Sequence, residues 1–310
     1  MDLPVCISCS GPVDIVVLDQ VRDYEYGVDW EGHIHACSHC GLAQQVPMPT
    51  ARDALRFYPE NYVHYQASPA RGLRSVLMKL YTRRILARLR KLGVQPGQSL
   101  LDVGCGGGEK LALLRDGLQL KVIGVEPNAQ AANNAREQFG LEVKTGFFPT
   151  PDLNPDSFDF VQINHVIEHV PNPVGLLEEI FRVLKPGGWV IGETENMDCL
   201  SFRLFGRYWS FLHTPFHLSF FTPKTLDGVF RRSSFKTCQT VSQTDPSAWS
   251  LSLQNRLRRH LPPGQPRGAR IPGYLLISVA SVPVSWVERG SGPVLAFSAR
   301  KQIAGSTGSH

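Results

Sequence analysis

The run LLDVGCGGG, Leu100 to Gly108, limits the fold more than any other part of this 310-residue chain. Leu100, Leu101 and Val103 read as a short buried strand. Gly104, Gly106, Gly107 and Gly108 then supply a turn, where glycines permit positive φ or a close backbone approach to a ligand. The LALLRDGL that follows has helical spacing. A strand, a glycine turn and a helix in that order place a ligand at the carboxyl end of a parallel strand, where open α/β sheets bind their ligands.

The pattern continues downstream. KVIGVE, LEVKTG, FDFVQIN and GGWVIGETE read as strands, and NAQAANNAREQFG and PVGLLEEIFRVLK as helices between them. Two more strands fall near Phe235 to Val241 and Pro293 to Ala299. Regular alternation implies an α/β fold with a doubly wound, mostly parallel sheet. The organisation read from the sequence is 1–46, a cysteine module; 47–97, a linker and helical cap; and 98–300, the α/β domain. That domain divides into a cofactor half, 98–196, and a substrate half, 197–300, and 301–310 is expected to be a disordered tail. LRSVLMKLYTRRILARLRKLG supplies the cap helix.

The glycine turn departs from the dinucleotide fingerprint. Counted from Gly104, the third glycine of Gly-x-Gly-x-x-Gly falls on Glu109, an acid that repels a pyrophosphate. Asp102, inside the strand, suits a ligand carrying an ammonium and a sulfonium instead. About twenty residues on, Glu126 ends the next strand, where a carboxylate can accept both hydroxyls of a ribose.

With LDVGCGGG at 101–108, GVEPN at 124–128, SFDFVQINHVIEHVPNP at 157–173 and RVLKPGGWV at 182–190, the chain resembles the class I S-adenosylmethionine-dependent methyltransferases. The resemblance implies a Rossmann-like sheet of about seven strands, the last antiparallel, and S-adenosyl-L-methionine as co-substrate. It implies cofactor contacts at Asp102, Gly104, Cys105, Gly106 and Gly108, at Glu126 and Pro127, and at Asn164 and His165. Many relatives place an acid after the third strand for the adenine amino group. Here Gly146-Phe147-Phe148 stands there, so Phe147 or Phe148 is expected to pack on the adenine.

His165-Val166-Ile167-Glu168-His169 also matches the H-x-x-E-H of zinc proteases, but it follows a buried strand and meets Pro171, which leaves no long helix for a metal. In the resemblance these residues line the transfer site, with Glu168 and His169 capping the loop. Removing a proton from a hydroxyl acceptor calls for a base. His217 and His165 are the preferred candidates and His213 the other, with His217 in the aromatic stretch GRYWSFLHTPFHLSFFTPKTL.

Cys6-x-x-Cys9 and Cys37-x-x-Cys40 form two knuckles that can share one structural Zn2+, with His33, His35 and His39 as spare ligands. The ribbon and the linker after it, including Tyr62 and Tyr65, resemble those preceding bacterial methyltransferases of small molecules. A small-molecule or sugar-like acceptor is therefore expected. A net charge of +5, without a concentrated basic face, disfavours nucleic acid. No secretory leader or membrane span is read, which gives a cytoplasmic expectation. The apolar stretch Ile271 to Val287 is expected to be buried. A nucleotide-binding dehydrogenase, a non-catalytic module docking through its ribbon, and the oligomeric state stay open.

Overall fold

The computed structural model describes residues 4–49, 73–150, 152–262, 273–288 and 290–303. The expected roles of Tyr62 and Tyr65, and of the tail from residue 304 onward, fall outside the described residues.

Seven strands build one sheet: β4 (Ser99–Val103), β5 (Lys121–Glu126), β6 (Glu142–Thr145), β7 (Phe158–Asn164), β8 (Leu184–Glu195), β10 (Gln239–Gln243) and β11 (Val294–Arg300). Their order is β10-β11-β8-β7-β4-β5-β6. β4 pairs parallel with both β5 and β7, and β5 with β6, while β10 and β11 are antiparallel. The strand order reverses at β4, so its carboxyl end is the switch point where α/β sheets open a crevice. The sequence expectation of a mostly parallel, doubly wound sheet is met.

The chain separates into two compact units. One comprises Glu60–Asn164, Glu178–Gly192 and Ala299–His310; the other comprises Met1–Pro59, His165–Leu177 and Glu193–Ser298. In the first, α1 (Leu73–Lys91), α2 (Glu109–Leu118) and α3 (Ala129–Phe139) surround β4 to β6. Leu89, Leu100, Leu111 and Leu114 are fully buried in one core there, each worth about 1.5–3 kcal/mol of transfer free energy. The sharp start of α3 comes from Asn128, whose Oδ1 accepts the Ala131 N–H at 2.9 Å, and its end from Gly140 in the left-handed region.

In the second unit, β1 (Val13–Arg22), β2 (Glu31–Cys37) and β3 (Ala43–Val46) form an antiparallel ribbon, and β9 (Ser219–Phe220) adds a fourth strand beside β3. The shared core, Ile34 and Ala43 with Trp209, Leu212 and Phe220, joins the cysteine module to the aromatic stretch. That stretch is carried by α5 (Leu200–Phe205) and α6 (Pro223–Arg232) on either side. The helix α4 (Pro173–Val183) precedes β8.

One expectation is corrected. The apolar stretch ending at Val287 forms α8 (Tyr274–Ser285), which lies against α7 (Pro246–Leu257) through the Tyr274 Oη–Ser250 Oγ contact at 3.0 Å. Among the described residues, only that face is covered. Leu276 and Val279, three residues apart on the other face, are exposed. Mean apolarity concealed this two-sidedness, because both faces are apolar. Among the described residues no helix is long and apolar enough to cross a membrane.

Candidate active site

Past Val103 the chain turns through Gly104 (φ 75°), Gly106 (φ 55°) and Gly108 (φ 82°) into α2. All three occupy the left-handed region that a side chain disfavours. At Gly108 space is also lacking, since a Cβ would stand 2.6 Å from that of Ala135. The Gly104 and Cys105 N–H groups both donate to the Val125 carbonyl, at 2.8 and 3.2 Å, which folds the turn back onto β5. Cys105 Sγ packs over Gly124, and burial pushes its thiol up.

Glu126 locks this turn. Its Oε2 accepts the Gly106 N–H and its Oε1 the Asn128 N–H, each at 2.8 Å. Burial pushes its carboxyl up, against the pull of those two donors. Each oxygen keeps a further lone pair, so the carboxylate can pin the turn and still accept hydroxyl groups. Pro127 links it to the helix cap Asn128. Asp102 is buried on β4 and accepts from Gln162 Nε2 at 3.1 Å; burial pushes its carboxyl up to about 7, with Glu126 adding to that and Lys110 opposing it.

Among the described residues, Asn164 Nδ2 and Gln162 Oε1 are buried without a hydrogen-bond partner. Buried polar atoms left in this way ordinarily meet a ligand or water. Phe147, beyond β6, is 64% exposed, and its neighbour Gly146 donates to the Glu126 carbonyl at 3.0 Å. The ring is therefore available at the Glu126 end of the sheet. This is a concave backbone turn, a buried acid, a carboxylate with spare lone pairs and an uncovered aromatic, all in one unit. The set suits an adenosine ligand that carries positive charge.

A second constellation lies in the other unit. His165 follows Asn164 directly in the chain and holds φ 53°. Its N–H donates to the Glu193 carbonyl at 2.8 Å. Its Nδ1 stands 3.0 Å from Glu195 Oε1 and 3.3 Å from Glu168 Oε1. Burial works against its charge, but the two carboxylates outweigh burial and raise its pKa well above the usual histidine range.

His217 is the opposite case. Its Nδ1 meets the Phe211 carbonyl at 3.0 Å; a carbonyl only accepts, so Nδ1 carries the proton and Nε2 the lone pair. Burial, with His169 and His213 alongside, holds its pKa well below the usual range. Nε2 lies 3.8 Å from Glu195 Oε1. The two histidines singled out in the sequence are thus brought to one carboxylate with their pKa values moved in opposite directions. His213 pairs instead with Glu25 Oε2 at 3.5 Å, and that carboxylate outweighs burial to raise its pKa.

Sequence reasoning missed Glu195 and the partners of Glu168. Glu168 is fully buried; its Oε2 accepts from Thr194 Oγ1 at 3.0 Å, and its backbone carbonyl accepts the Leu218 N–H at 2.7 Å. Glu195 closes the GETE strand, and an acid at a strand's carboxyl end was the available signal. Gln45, on β3, donates through Nε2 to the Pro215 carbonyl at 3.0 Å and to that of His217.

The four cysteines converge as their spacing requires. Cys6 and Cys40 Sγ are 3.6 Å apart, Cys9 and Cys37 Sγ 3.5 Å, and none is in a disulfide. Tetrahedral zinc with bonds of about 2.3 Å sets sulfurs about 3.8 Å apart, so the donor set fits. His33 pairs with Asp19 at 3.0 Å and is not among these four ligands.

A family profile described as a methyltransferase domain matches residues 73–240, more than half of the chain. A ubiquinone biosynthesis O-methyltransferase of Thiobacillus denitrificans is 35% identical over 114 residues, covering 35% of this chain and 49% of that protein. An uncharacterized 37.1 kDa protein in transposon TN4556 of Streptomyces fradiae is 33% identical over 119 residues, covering 36% of this chain and 34% of its own. The aligned stretch thus spans between a third and a half of these curated relatives. Among solved structures, phosphoethanolamine N-methyltransferase 2 of Haemonchus contortus in complex with S-adenosyl-L-methionine has a TM-score of 0.53 at 18% identity, covering 84% of this chain and 62% of that one. At that identity the likeness concerns the fold alone.

Proposed function

The chain belongs to the methyltransferase-domain family, and from that premise we propose that it moves the methyl group of S-adenosylmethionine to an oxygen of a small or sugar-like acceptor. The enzyme class follows from the family; the acceptor oxygen is our reading. The observation that carries it is the cluster of buried Glu168, Glu195 and His217 with the part-exposed His165. A sulfonium is a good leaving group, so nitrogen nucleophiles need little more than alignment in a dry site, whereas a hydroxyl must also lose a proton. A set that pairs a histidine whose pKa is raised with one whose pKa is lowered suits that second task. The curated relative named as an O-methyltransferase supports the same reading.

In this reading each group has a role. The turn Gly104, Cys105, Gly106 and Gly108 cradles the methionine part of the cofactor, and Asp102 receives its positive charge. Glu126 with Pro127 holds the ribose, Phe147 packs on the adenine, and Asn164 offers its unpartnered Nδ2. His217 supplies an electron pair where the acceptor loses its proton, and His165 a positive charge for the oxyanion left behind. Cys6, Cys9, Cys37 and Cys40 hold one structural Zn2+.

The test is calorimetric titration with S-adenosylmethionine and with NADH, followed by methyl-transfer assays on hydroxyl, amine and thiol panels. S-adenosylmethionine binding with hydroxyl-only turnover is expected. Turnover confined to amines would remove the oxygen acceptor, and NADH binding alone would remove the cofactor assignment.

A further inference from the structure

Two histidines of the second unit, His217 buried and His169 part-buried, are oriented in the same way. His169 Nδ1 lies 2.9 Å from the Phe216 carbonyl, as His217 Nδ1 lies 3.0 Å from that of Phe211. Each carbonyl fixes the proton on Nδ1 and presents Nε2 as the electron-pair donor of the neutral ring. This is the outer-shell arrangement that orients metal-ligating histidines. The rings are 4.6 Å apart between centroids and inclined at 77°. Two imidazoles bound to one ion at about 2.1 Å place their centroids about 4.6 Å apart when their bonds meet at a right angle and about 5.3 Å apart at the tetrahedral angle.

A carboxylate completes the set. Glu168, His169 and His217 each offer a ligand atom, all within 4.8 Å of one another. Glu168 is fully buried, and among the described residues its Oε1 accepts no well-formed hydrogen bond, having only the His165 contact at 3.3 Å. Glu195 stands beside them, 3.8 Å from His217 Nε2. A divalent ion among these groups would face two buried carboxylates, Glu168 and Glu195.

We infer that Glu168, His169 and His217 form a second metal site, distinct from the four cysteines, for a divalent ion of the zinc, cobalt or iron(II) class, with Glu195 as a further ligand or neighbour. Two imidazoles and a carboxylate, with open positions, are the donor set such ions take in reactive rather than structural sites. The short helical turn Ile167–His169 and the loop ahead of β9 bring the three residues together, tied by the Leu218 N–H to Glu168 carbonyl bond at 2.7 Å.

The inference rests on the methyl-transfer reading for its chemistry but not for its binding. With an ion bound, the electron pair of His217 would go to the ion instead of to the acceptor's proton, and the ion would take over the proton-releasing role by binding the acceptor oxygen and lowering its pKa. The O–H bond breaks and the proton leaves to solvent. An oxygen lone pair forms the new bond to the methyl carbon as the S–C pair returns to sulfur, giving S-adenosylhomocysteine.

The experiment is Co2+ titration of the full metal-stripped chain, followed by absorption spectroscopy. Two equivalents are expected, one with the intense thiolate charge-transfer band of the cysteine site and one with only weak ligand-field bands. His169→Asn should abolish the second and keep the first, and the retained thiolate band shows that the ribbon is intact. Glu168→Gln, which keeps its shape, should weaken the second by at least about tenfold, as ligand changes exceed outer-shell ones. A single equivalent with thiolate bands only, or a second equivalent unchanged in both variants, overturns the site. S-adenosylmethionine affinity measured on the same samples separates the two readings: it is expected to persist in both variants, and its absence from the parent protein would count against the cofactor reading alone.

Discussion

Glu126 pins the glycine turn and is proposed to hold the ribose, and a substitution separates the two. Its carboxylate accepts the Gly106 and Asn128 N–H groups, both charge-assisted bonds. In the proposed complex it also meets the ribose. Glu126→Ala should therefore raise the dissociation constant for S-adenosylmethionine by about 10–100-fold, or about 1.4–2.8 kcal/mol, and also lower the melting temperature of the ligand-free protein. Calorimetry and thermal melts would read the two effects. Unchanged affinity would remove the ribose role even if stability fell. Asp102 gives a pH signature. Burial pushes its carboxyl up to about 7, so the folded chain holds a proton that the unfolded chain, near pH 4, releases. Stability is lost as pH rises from about 4 through 7, the reverse of a salt-bridged aspartate. A cationic ligand favours the ionised form, so its affinity should fall about tenfold per pH unit below about 7 and level off above it. Asp102→Asn should flatten that profile, weaken binding and raise the melting temperature of the ligand-free protein above pH 7. A profile that keeps its slope in the variant would assign the titration elsewhere.

At the scale of elements, the turn between β4 and α2 depends on what Gly108 lacks. Its φ of 82° and the 2.6 Å approach to Ala135 leave a side chain neither conformation nor room. Gly108→Ala should cost about 2–3 kcal/mol by strain and overpacking together, and lower the melting temperature by several degrees. A change below ~0.5 kcal/mol would mean that α3 shifts aside freely. This turn was legible in the sequence because all its determinants are consecutive: an apolar run, then glycines, then helical spacing. The paired knuckles were legible for the same reason, since each Cys-x-x-Cys is local. α8 was not. Apolar periodicity finds the face that packs, and where Leu276 and Val279 extend apolarity to the uncovered face the signal loses its direction.

At the scale of the molecule, the difficulty is sequence separation. His165 appeared as a candidate, but its partner Glu195 lies 30 positions on, and the backbone carbonyl that orients His169 lies 47 positions on. Composition and spacing carry no information about such pairs; only the way Glu193–Ser298 folds together with the first strands brings them to one place. The same separation gives the cysteine module its expected influence. Zinc at Cys6, Cys9, Cys37 and Cys40 would fix the ends of β1, β2 and β3; β3 pairs with β9, and Gln45 on β3 holds the Pro215 and His217 carbonyls. A ribbon of this size has little core of its own, so loss of such an ion would be loss of folding free energy. A Cys6→Ser, Cys9→Ser double variant should lose zinc, become protease-sensitive in its first 46 residues and lose most methyl transfer. S-adenosylmethionine affinity should stay within about threefold, less than 1 kcal/mol, because the proposed cofactor residues other than His165 belong to the other unit. Limited proteolysis, zinc content, calorimetry and turnover on one preparation would decide it. Turnover that survives zinc loss would show that the loop bearing His217 holds its shape without the ribbon. A parallel loss of cofactor affinity would show that the influence of zinc reaches the glycine turn itself.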